Sequence, residues 1–204
     1  MDQSDELKYY GLYRGKVLAN DSAETSKLGR LKIEVYPMLI GKDTALELKR
    51  THESLVIEGI PTADLPWATP AMPLFSGSGI GYGAFAIPKV GSHVWVFFEG
   101  GDIYQPVYFA EAVSGLVGFP SERLVDYPNT IVFKTQNGVV ISIDDKLGNE
   151  SISLVHPTGS KISIDKDGDI NIDGINININ SSGSTNVTAS GNVVVQGSQV
   201  NINP

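Results

Sequence analysis

The sequence predicts an all-β protein in two parts: a small closed barrel, then a repetitive segment whose short strands are completed by copies of the same chain. Three observations indicate this. Residues 130–204 alternate apolar and polar residues with a period of two, as half-buried strands do. Turns that contain glycine interrupt the alternation every six to ten residues. Residues 9–110 carry five strand patterns and a single helical pattern.

The C-terminal alternation supplies a predicted apolar core for the assembled segment. Turn pairs such as Asn137-Gly138 and Asp167-Gly168 separate its short runs, which leaves room for strands of four to six residues. The predicted core positions are Val139, Ile141, Ile143, Ile152, Leu154, Ile162, Ile164, Ile170, Ile172, Ile175, Ile177, Ile179, Val193, Val195, Val200 and Ile202.

From Ile175 to Pro204 the sequence contains no Asp, Glu, Lys or Arg. Uncharged strands with open edges tend to pair with other chains, and this segment offers no second layer to cover its apolar rows. Winding several copies into a β-prism or β-helix closes the edges and buries the rows, and three chains suit a triangular prism. The alternative is an ordinary antiparallel sandwich formed by one chain.

The first part of the chain has the element order of an OB-fold. Strands are predicted at residues 9–19, 31–36, 65–72, 93–99 and 106–110, with a helical turn at 41–50. The predicted barrel core comprises Leu31, Ile33, Val35, Trp67, Val94 and Val96. The predicted domains are an arm at 1–9, the OB-fold at 10–112, a linker at 113–129 and a trimeric β-helix at 130–204.

Composition excludes several classes of function. The 204 residues include 15 Lys and Arg against 23 Asp and Glu, and the net charge of −8 argues against a nucleic-acid partner, which needs a basic surface. The absence of cysteine excludes disulfides and thiolate metal sites. No run reaches transmembrane length, and the polar N-terminus lacks the apolar region of a signal peptide. We therefore expect a protein that is soluble when made and that assembles in the cytoplasm.

Candidate catalytic and metal-binding groups lack the spacing that their chemistry needs. No nucleophile motif accompanies the three histidines, His52, His93 and His156. The carboxylates considered for glycan cleavage, Glu24, Glu34 and Asp64, form no defined pair. The glycine-rich loop at 77–83 lacks the end of a phosphate loop, and the acidic turn at 165–169 lacks the last ligand of an EF-hand. We predict no enzyme, no catalytic residue, no cofactor and no metal site.

Several segments together carry a family resemblance. They are Leu-Gly-Arg-Leu-Lys-Ile at 28–33, Leu-Pro-Trp-Ala at 65–68, Pro-Lys-Val-Gly-Ser-His-Val-Trp-Val at 88–96, Phe-Glu-Gly-Gly-Asp at 98–102 with Gln-Pro-Val at 105–107, and the strand pair at 135–152. In this order they resemble the central-spike family of contractile injection machines. That family includes the spikes of contractile phage tails, baseplate assembly protein V and the valine-glycine repeat spikes of type VI secretion.

The resemblance implies a homotrimer in which three OB barrels form a collar and an intertwined triple-stranded β-helix forms a needle. It also implies partners in the baseplate hub and the tail tube, a contact with the host envelope, and a place in the virion tail baseplate after assembly in the host cytoplasm. Some members carry a lysozyme domain between barrel and needle, where this chain has only a short linker. Some end in a His-x-His iron site, but no histidine follows His156 here, so we expect a tip that is metal-free or covered by a separate capping protein.

The function expected on this basis is mechanical: sheath contraction drives a trimeric central spike through the host cell envelope. One rival is an OB-fold module that binds oligosaccharide or nucleic acid, with the β tail as an oligomeriser. A second rival is a peptidoglycan hydrolase.

Overall fold

A computed structural model describes residues 7–20, 26–52, 57–72, 81, 83–113 and 118–201. The chain divides into two compact units, Met1–Phe119 and Pro120–Pro204. Three features singled out in the sequence lie outside the described residues: Ile202, Glu24 and most of the glycine-rich loop at 77–83.

The first unit is a closed five-stranded barrel, which confirms the OB-like prediction. Its strands are β1 (Tyr13–Ala19), β2 (Leu31–Val35), β3 (Trp67–Pro70), β4 (His93–Phe98) and β5 (Pro106–Glu111). They run in the order β1-β2-β3-β5-β4, and β4 closes the barrel by pairing with β1. All pairs are antiparallel except β3 with β5. The first strand begins at residue 13, later than predicted, because Tyr9 makes only an isolated backbone hydrogen bond to Gly101 (2.9 Å).

One α-helix follows β2, as the helical pattern at 41–50 predicts. This helix, α1 (Lys42–Thr51), carries Asp43 in its first turn and Lys49 and Arg50 in its last, which suits the helix dipole. Ala45 is its buried residue. Short 3-10 turns lie at Thr62–Asp64, Glu99–Gly101 and Ser121–Leu124, and the second of these links β4 to β5 in the short connection predicted there.

Alternation along the strands fills the barrel interior. In β4 the even positions Val94, Val96 and Phe98 are buried, while His93 is exposed and Trp95 and Phe97 are half-buried. Strand β2 is an exception, because all five of its residues are buried. Its outer face is covered by other parts of the chain, so Lys32 and Glu34 are buried as well.

Gly15 allows the strands on either side of β1 to approach each other inside the barrel. A methyl group at this position would lie 2.5 Å from Cγ2 of Ile33 and 2.9 Å from Cγ2 of Val96. Both side chains are in the buried cluster and have little freedom to move. Any side chain at this point of β1 would therefore crowd the barrel interior.

The second unit contains one antiparallel sheet whose strands follow chain order. They are β6 (Thr130–Lys134), β7 (Val140–Asp144), β8 (Ser151–Val155), β9 (Lys161–Ile164) and β10 (Ile170–Asp173). Over the described residues of this unit, 120–201, no second sheet packs on the first. The single-chain sandwich considered above is therefore wrong, because one five-stranded sheet takes up all the strands of the unit.

Residues 174–201 form neither helix nor strand, although all of them are described. The alternating runs around Ile177 and Val194 therefore have no strand partner among the residues that the structure describes. Every residue in this stretch is exposed.

Candidate functional site

The sheet of the second unit carries two straight rows of large apolar side chains on one face. Residues directly opposite each other on neighbouring strands form these rows, so each row crosses all five strands. We call them the apolar ladders. The first ladder is Ile131, Ile143, Ile152, Ile164 and Ile170, and the second is Phe133, Ile141, Leu154, Ile162 and Ile172.

Both ladders are exposed in the single chain. Their side chains keep between 37% (Ile143) and 69% (Ile170) of their surface accessible. Covering one half-exposed isoleucine stabilises a protein by about 1 kcal/mol, so ten such positions amount to a large unsatisfied surface. A contiguous apolar face of this kind marks an interaction site.

The structure brings half of the predicted needle core together on this face. Eight of the sixteen predicted positions lie in the ladders: Ile141, Ile143, Ile152, Leu154, Ile162, Ile164, Ile170 and Ile172. Val139 precedes β7 and is half-buried, in a turn where the backbone N–H of Thr135 donates a hydrogen bond to the Val139 carbonyl oxygen (2.9 Å). The others described, Ile175, Ile177, Ile179, Val193, Val195 and Val200, are exposed and outside any strand.

Sequence reasoning missed one strand of the ladders. Ile131 and Phe133 belong to β6 and complete both rows, yet they were not among the predicted core positions. The signal was present as a period of two, Ile131-Val132-Phe133, but Val132 is also apolar and hides the alternation.

The opposite face of the same sheet is polar along its centre. Val132, Ser142, Ser153, Ser163 and Asn171 form a row across the five strands. The hydroxyls of Ser142 and Ser153 are 2.8 Å apart and share a hydrogen bond. This polar face is the less exposed of the two, since Ser163 is buried and Ser142 and Ser153 are half-buried, whereas both ladders are exposed.

Charged side chains fasten the segment before β6 to the turn between β7 and β8. Asp126 accepts hydrogen bonds from Lys146 and from Nδ2 of Asn149, the latter at 2.7 Å. The same Nδ2 also donates to Asp144 (3.2 Å). The hydrogen bond from Lys146 holds the pKa of Asp126 below its usual value and raises the pKa of Lys146. Nearby, Glu122 and Lys134 form an ion pair at 2.6 Å, which ties the 3-10 turn to β6.

The carboxylates considered for chemistry are engaged in structure. Glu34 accepts hydrogen bonds from the backbone N–H of Gly41 (3.1 Å) and from Oγ1 of Thr44 (3.0 Å), which anchors the start of α1. Oδ1 of Asp165 accepts from the backbone N–H groups of Asp167 and Asp169, both at 3.0 Å. These bonds, that from Asp169 foremost, lower the pKa of Asp165 and close the turn between β9 and β10.

The histidines do not form a catalytic arrangement. His93 is exposed at the start of β4. His52 and His156 each contact a neighbouring threonine hydroxyl, Thr51 at 3.1 Å and Thr158 at 2.7 Å. Across the described ranges, no three His, Asp or Glu side chains converge as metal ligands.

The aromatic side chains of the barrel divide between its core and its outer surface. Phe98 belongs to the buried cluster, as do Leu31, Ile33, Val35, Val94 and Val96 of the predicted barrel core. Trp67 is half-buried outside that cluster, with Nζ of Lys32 at 4.4 Å and Cζ of Arg30 at 5.5 Å from its ring centre. Trp95 is covered in the same way by Arg14, at 4.9 Å.

Lys32 is held beneath this surface by backbone carbonyls. Its Nζ donates to the carbonyl oxygens of Ala63 (3.1 Å) and Leu65. Burial lowers its pKa, while Asp64 opposes this shift. Asp64, which was considered for glycan cleavage, therefore lies in the charged surroundings of a structural lysine.

Residues 56–111 match the type VI secretion system/phage-baseplate injector OB domain. The matched region includes β3, β4 and β5, which form three of the five barrel strands. It confirms the resemblance at the level of the baseplate and injector OB domain and indicates a structural role in a contractile injection system, in assembly with other baseplate proteins. No curated protein matches the chain. In the described part of the chain, no helix is both long enough and apolar enough to cross a bilayer.

Proposed function

We propose that this protein is the central spike of a contractile injection machine, a homotrimer that punctures the target envelope when the sheath contracts. The observation that carries the proposal is the pair of apolar ladders, which cross five strands and stay uncovered in the single chain. The match of residues 56–111 to a baseplate injector OB domain supports a role in a contractile injection machine.

A second and third copy of the chain are the best cover for the ladders. The ladders are in register and contain only aliphatic side chains and one phenylalanine, so identical faces meet without burying charge. Three such sheets around an axis form a prism with its apolar faces inward and its serine rows on the outer side. This arrangement fits the period-two pattern of all five strands.

The segment at 174–201 continues the same arrangement. Its backbone lacks strand partners within the chain, and Ile175, Ile177 and Ile179 repeat the apolar spacing of β10. Three copies wound together supply these partners and leave no open edge, which gives the triple-stranded β-helix over 130–204. A needle of short, fully paired strands is stiff enough to transmit the force of contraction.

The barrel at 10–112 forms the collar in this proposal. Three barrels together bind the baseplate hub and the tail tube. In this proposal the spike lies at the baseplate of the virion tail.

The structure gives the oligosaccharide-binding rival little support. Sugars stack on the open face of an aromatic ring, but cationic side chains already lie over Trp67 and Trp95. A carbohydrate would have to displace Arg14 from one ring, or Arg30 and Lys32 from the other.

A matched pair of variants tests the assembly. Ile172→Asp places a carboxylate on the apolar face of β10, and Asn171→Asp places the same group on the opposite face of the same strand. Both positions are exposed in the single chain, so neither change should unfold it. We expect light scattering to give a trimer for Asn171→Asp and mainly single chains for Ile172→Asp. Equal masses for the two variants would contradict the proposed cover of the ladders.

A separate experiment tests the proposed location of the protein in the injection machine. In contractile particles that contain this chain, antibodies against the barrel should label the distal end of the tail, on its axis. Labelling of the sheath, the fibres or the head would rule out a central spike, whatever the oligomeric state.

A further inference from the structure

We propose that Arg14 clamps the point where the chain leaves the barrel, so that force on the residues that follow passes to β1 and β4 and does not peel away the end of β5. We call residues 110–113 the barrel exit. This inference rests on the proposed spike function, in which the barrel must pass the force of contraction to the needle. The clamp is a guanidinium group that binds two backbone carbonyls and an indole ring.

The backbone of β5 is irregular where the barrel exit begins. Phe109 pairs with Trp95 and Glu111 pairs with Val94, so Ala110 is an extra residue without a partner on β4. Its φ of 33° lies in the left-handed region, which alanine rarely adopts. A bulge of this kind bends its strand locally, and a strained residue persists only where its surroundings hold it in place. The barrel exit therefore needs contacts that fix its path.

Arg14 reaches the barrel exit from β1, across the outer face of β4. Its Nη1 donates to the carbonyl oxygen of Val113 at 2.9 Å and to that of Ala112 at 3.4 Å. Its guanidinium lies over the ring of Trp95, with Cζ 4.9 Å from the ring centre. Arg14 and Trp95 are directly opposite each other on β1 and β4. One side chain thus connects β1, β4 and the residues that follow β5.

Arginine is suited to this double contact. The guanidinium is planar, so its face can stack on an aromatic ring while the N–H groups at its edge donate to other acceptors. The barrel exit has two further anchors. The backbone N–H of Ala112 donates to the carbonyl oxygen of His93 (2.9 Å), and the Ala112 side chain is buried. Arg14 extends this hold by one residue, to the carbonyl of Val113.

The clamp lies where tension on the chain would first act on the barrel. A strand that is pulled from its end opens one hydrogen bond at a time, and the end opens most easily. The last pair of β5 with β4 is Glu111 with Val94. The carbonyls that Arg14 binds come after this pair, so the clamp takes up the load before the pairs of the strand do.

Single-molecule pulling on the full chain tests the clamp. The protein is held at constant force between its N- and C-terminal ends, and opening of the barrel is recognised by a length gain of roughly 300 Å, since about 100 residues unfold. Arg14→Met keeps an unbranched side chain that can lie over Trp95 but removes the N–H donors. We expect the barrel of this variant to open at least about fivefold sooner than that of the unchanged protein.

Lys16→Met is the matched control. Lys16 lies two residues further along β1 on the same outer face, and its Nζ is 3.9 Å from a carboxylate oxygen of Glu34 on β2. We expect the barrel of this variant to open at the rate of the unchanged protein. Equal opening times for all three proteins would overturn the clamp.

Hydrogen exchange separates the clamp from a general loss of stability. In Arg14→Met we expect the amide of Ala112 to exchange at least about fivefold faster, while the amides that pair β1 with β2 keep their rates. Faster exchange throughout the barrel would show that Arg14 supports the fold in general, and it would overturn the inference. Light scattering reports on the spike proposal separately. A single-chain mass ends that proposal, whereas the pulling and exchange results still decide the clamp.

Discussion

Two charged residues of β2 show how single side chains hold the barrel's outer layer in place. Lys32 and Glu34 alternate with the core residues and therefore point away from the barrel interior, yet both are buried. Each is satisfied by a different covering element: Lys32 by the carbonyls around Thr62–Asp64, and Glu34 by the start of α1. Buried charges are tolerated only when they are paired in this way.

Replacing Glu34 by alanine should loosen α1. The N–H of Gly41 and the hydroxyl of Thr44 would lose a shared acceptor, so we expect the free energy of unfolding to fall by about 1–3 kcal/mol. Both tryptophans lie in the barrel, so their fluorescence during denaturant unfolding reports this change. Glu47→Ala, at an exposed position of α1, is the control and should change stability by less than about 0.5 kcal/mol.

The Asp126 junction should make the second unit sensitive to acid. The pKa of Asp126 is lower in the folded protein than its usual value of about 3.9, so the contact with Lys146 stabilises fully above that pH and is lost as pH falls through the folded pKa. We expect Asp126→Asn to lower the melting temperature at pH 7 and to differ less from the unchanged protein as pH falls below about 3.9. Thermal unfolding followed by circular dichroism across this range measures the difference.

Asp145→Asn is the control for that experiment, since the Asp145 side chain is exposed and lies next to the junction. A constant difference between Asp126→Asn and the unchanged protein from pH 7 to pH 2.5 would show that the carboxylate charge has no part in the junction.

At the scale of elements, the strands of the barrel were largely predictable from the sequence. The burial of the outward-facing side chains of β2 was not. Period-two alternation located β4 and β5 to within a residue, because each strand has one face inside and one outside. The burial of Lys32 and Glu34 depends on contacts with residues 31 and 7 positions later along the chain, which a local pattern does not contain. Trp67 was expected in the core for a similar reason: its size suggested burial, but cations on the outer surface pack against its ring.

Strand β1 depends on having no side chain at its closest contact. Gly15→Ala would push a methyl group against Ile33 and Val96, so we expect a loss of about 1–3 kcal/mol from overpacking. Denaturant unfolding followed by tryptophan fluorescence measures it. An unchanged denaturant midpoint would mean that the barrel accommodates the added methyl group without losing stability.

The segment at 174–201 should gain backbone hydrogen bonds only on assembly. It pairs with no strand in the described part of the chain, so in a single chain its amides would exchange with solvent at the rate of an unfolded peptide. In the proposed needle the same amides are paired between copies, and we expect protection for hours by hydrogen-exchange mass spectrometry. Exchange within seconds in the intact protein would contradict the triple-stranded β-helix.

At the scale of the whole molecule, assembly was predicted from the sequence because a single chain leaves its rows of apolar side chains exposed. Eight residues of the predicted alternation lie on one face of a single sheet, and Ile131 and Phe133 complete both ladders. In the proposed spike, the number of copies and the path of residues 174–201 would depend on contacts between chains, which neither a local pattern nor a single chain contains.

The mass of the intact protein in solution tests the central claim most directly. If copies of the chain cover the apolar ladders, sedimentation equilibrium at micromolar concentration should give three times the chain mass of 21.9 kDa, without dissociation on dilution. A well-folded protein that sediments at 21.9 kDa would show that the ladders stay uncovered or are covered from within, and it would remove the basis of the needle.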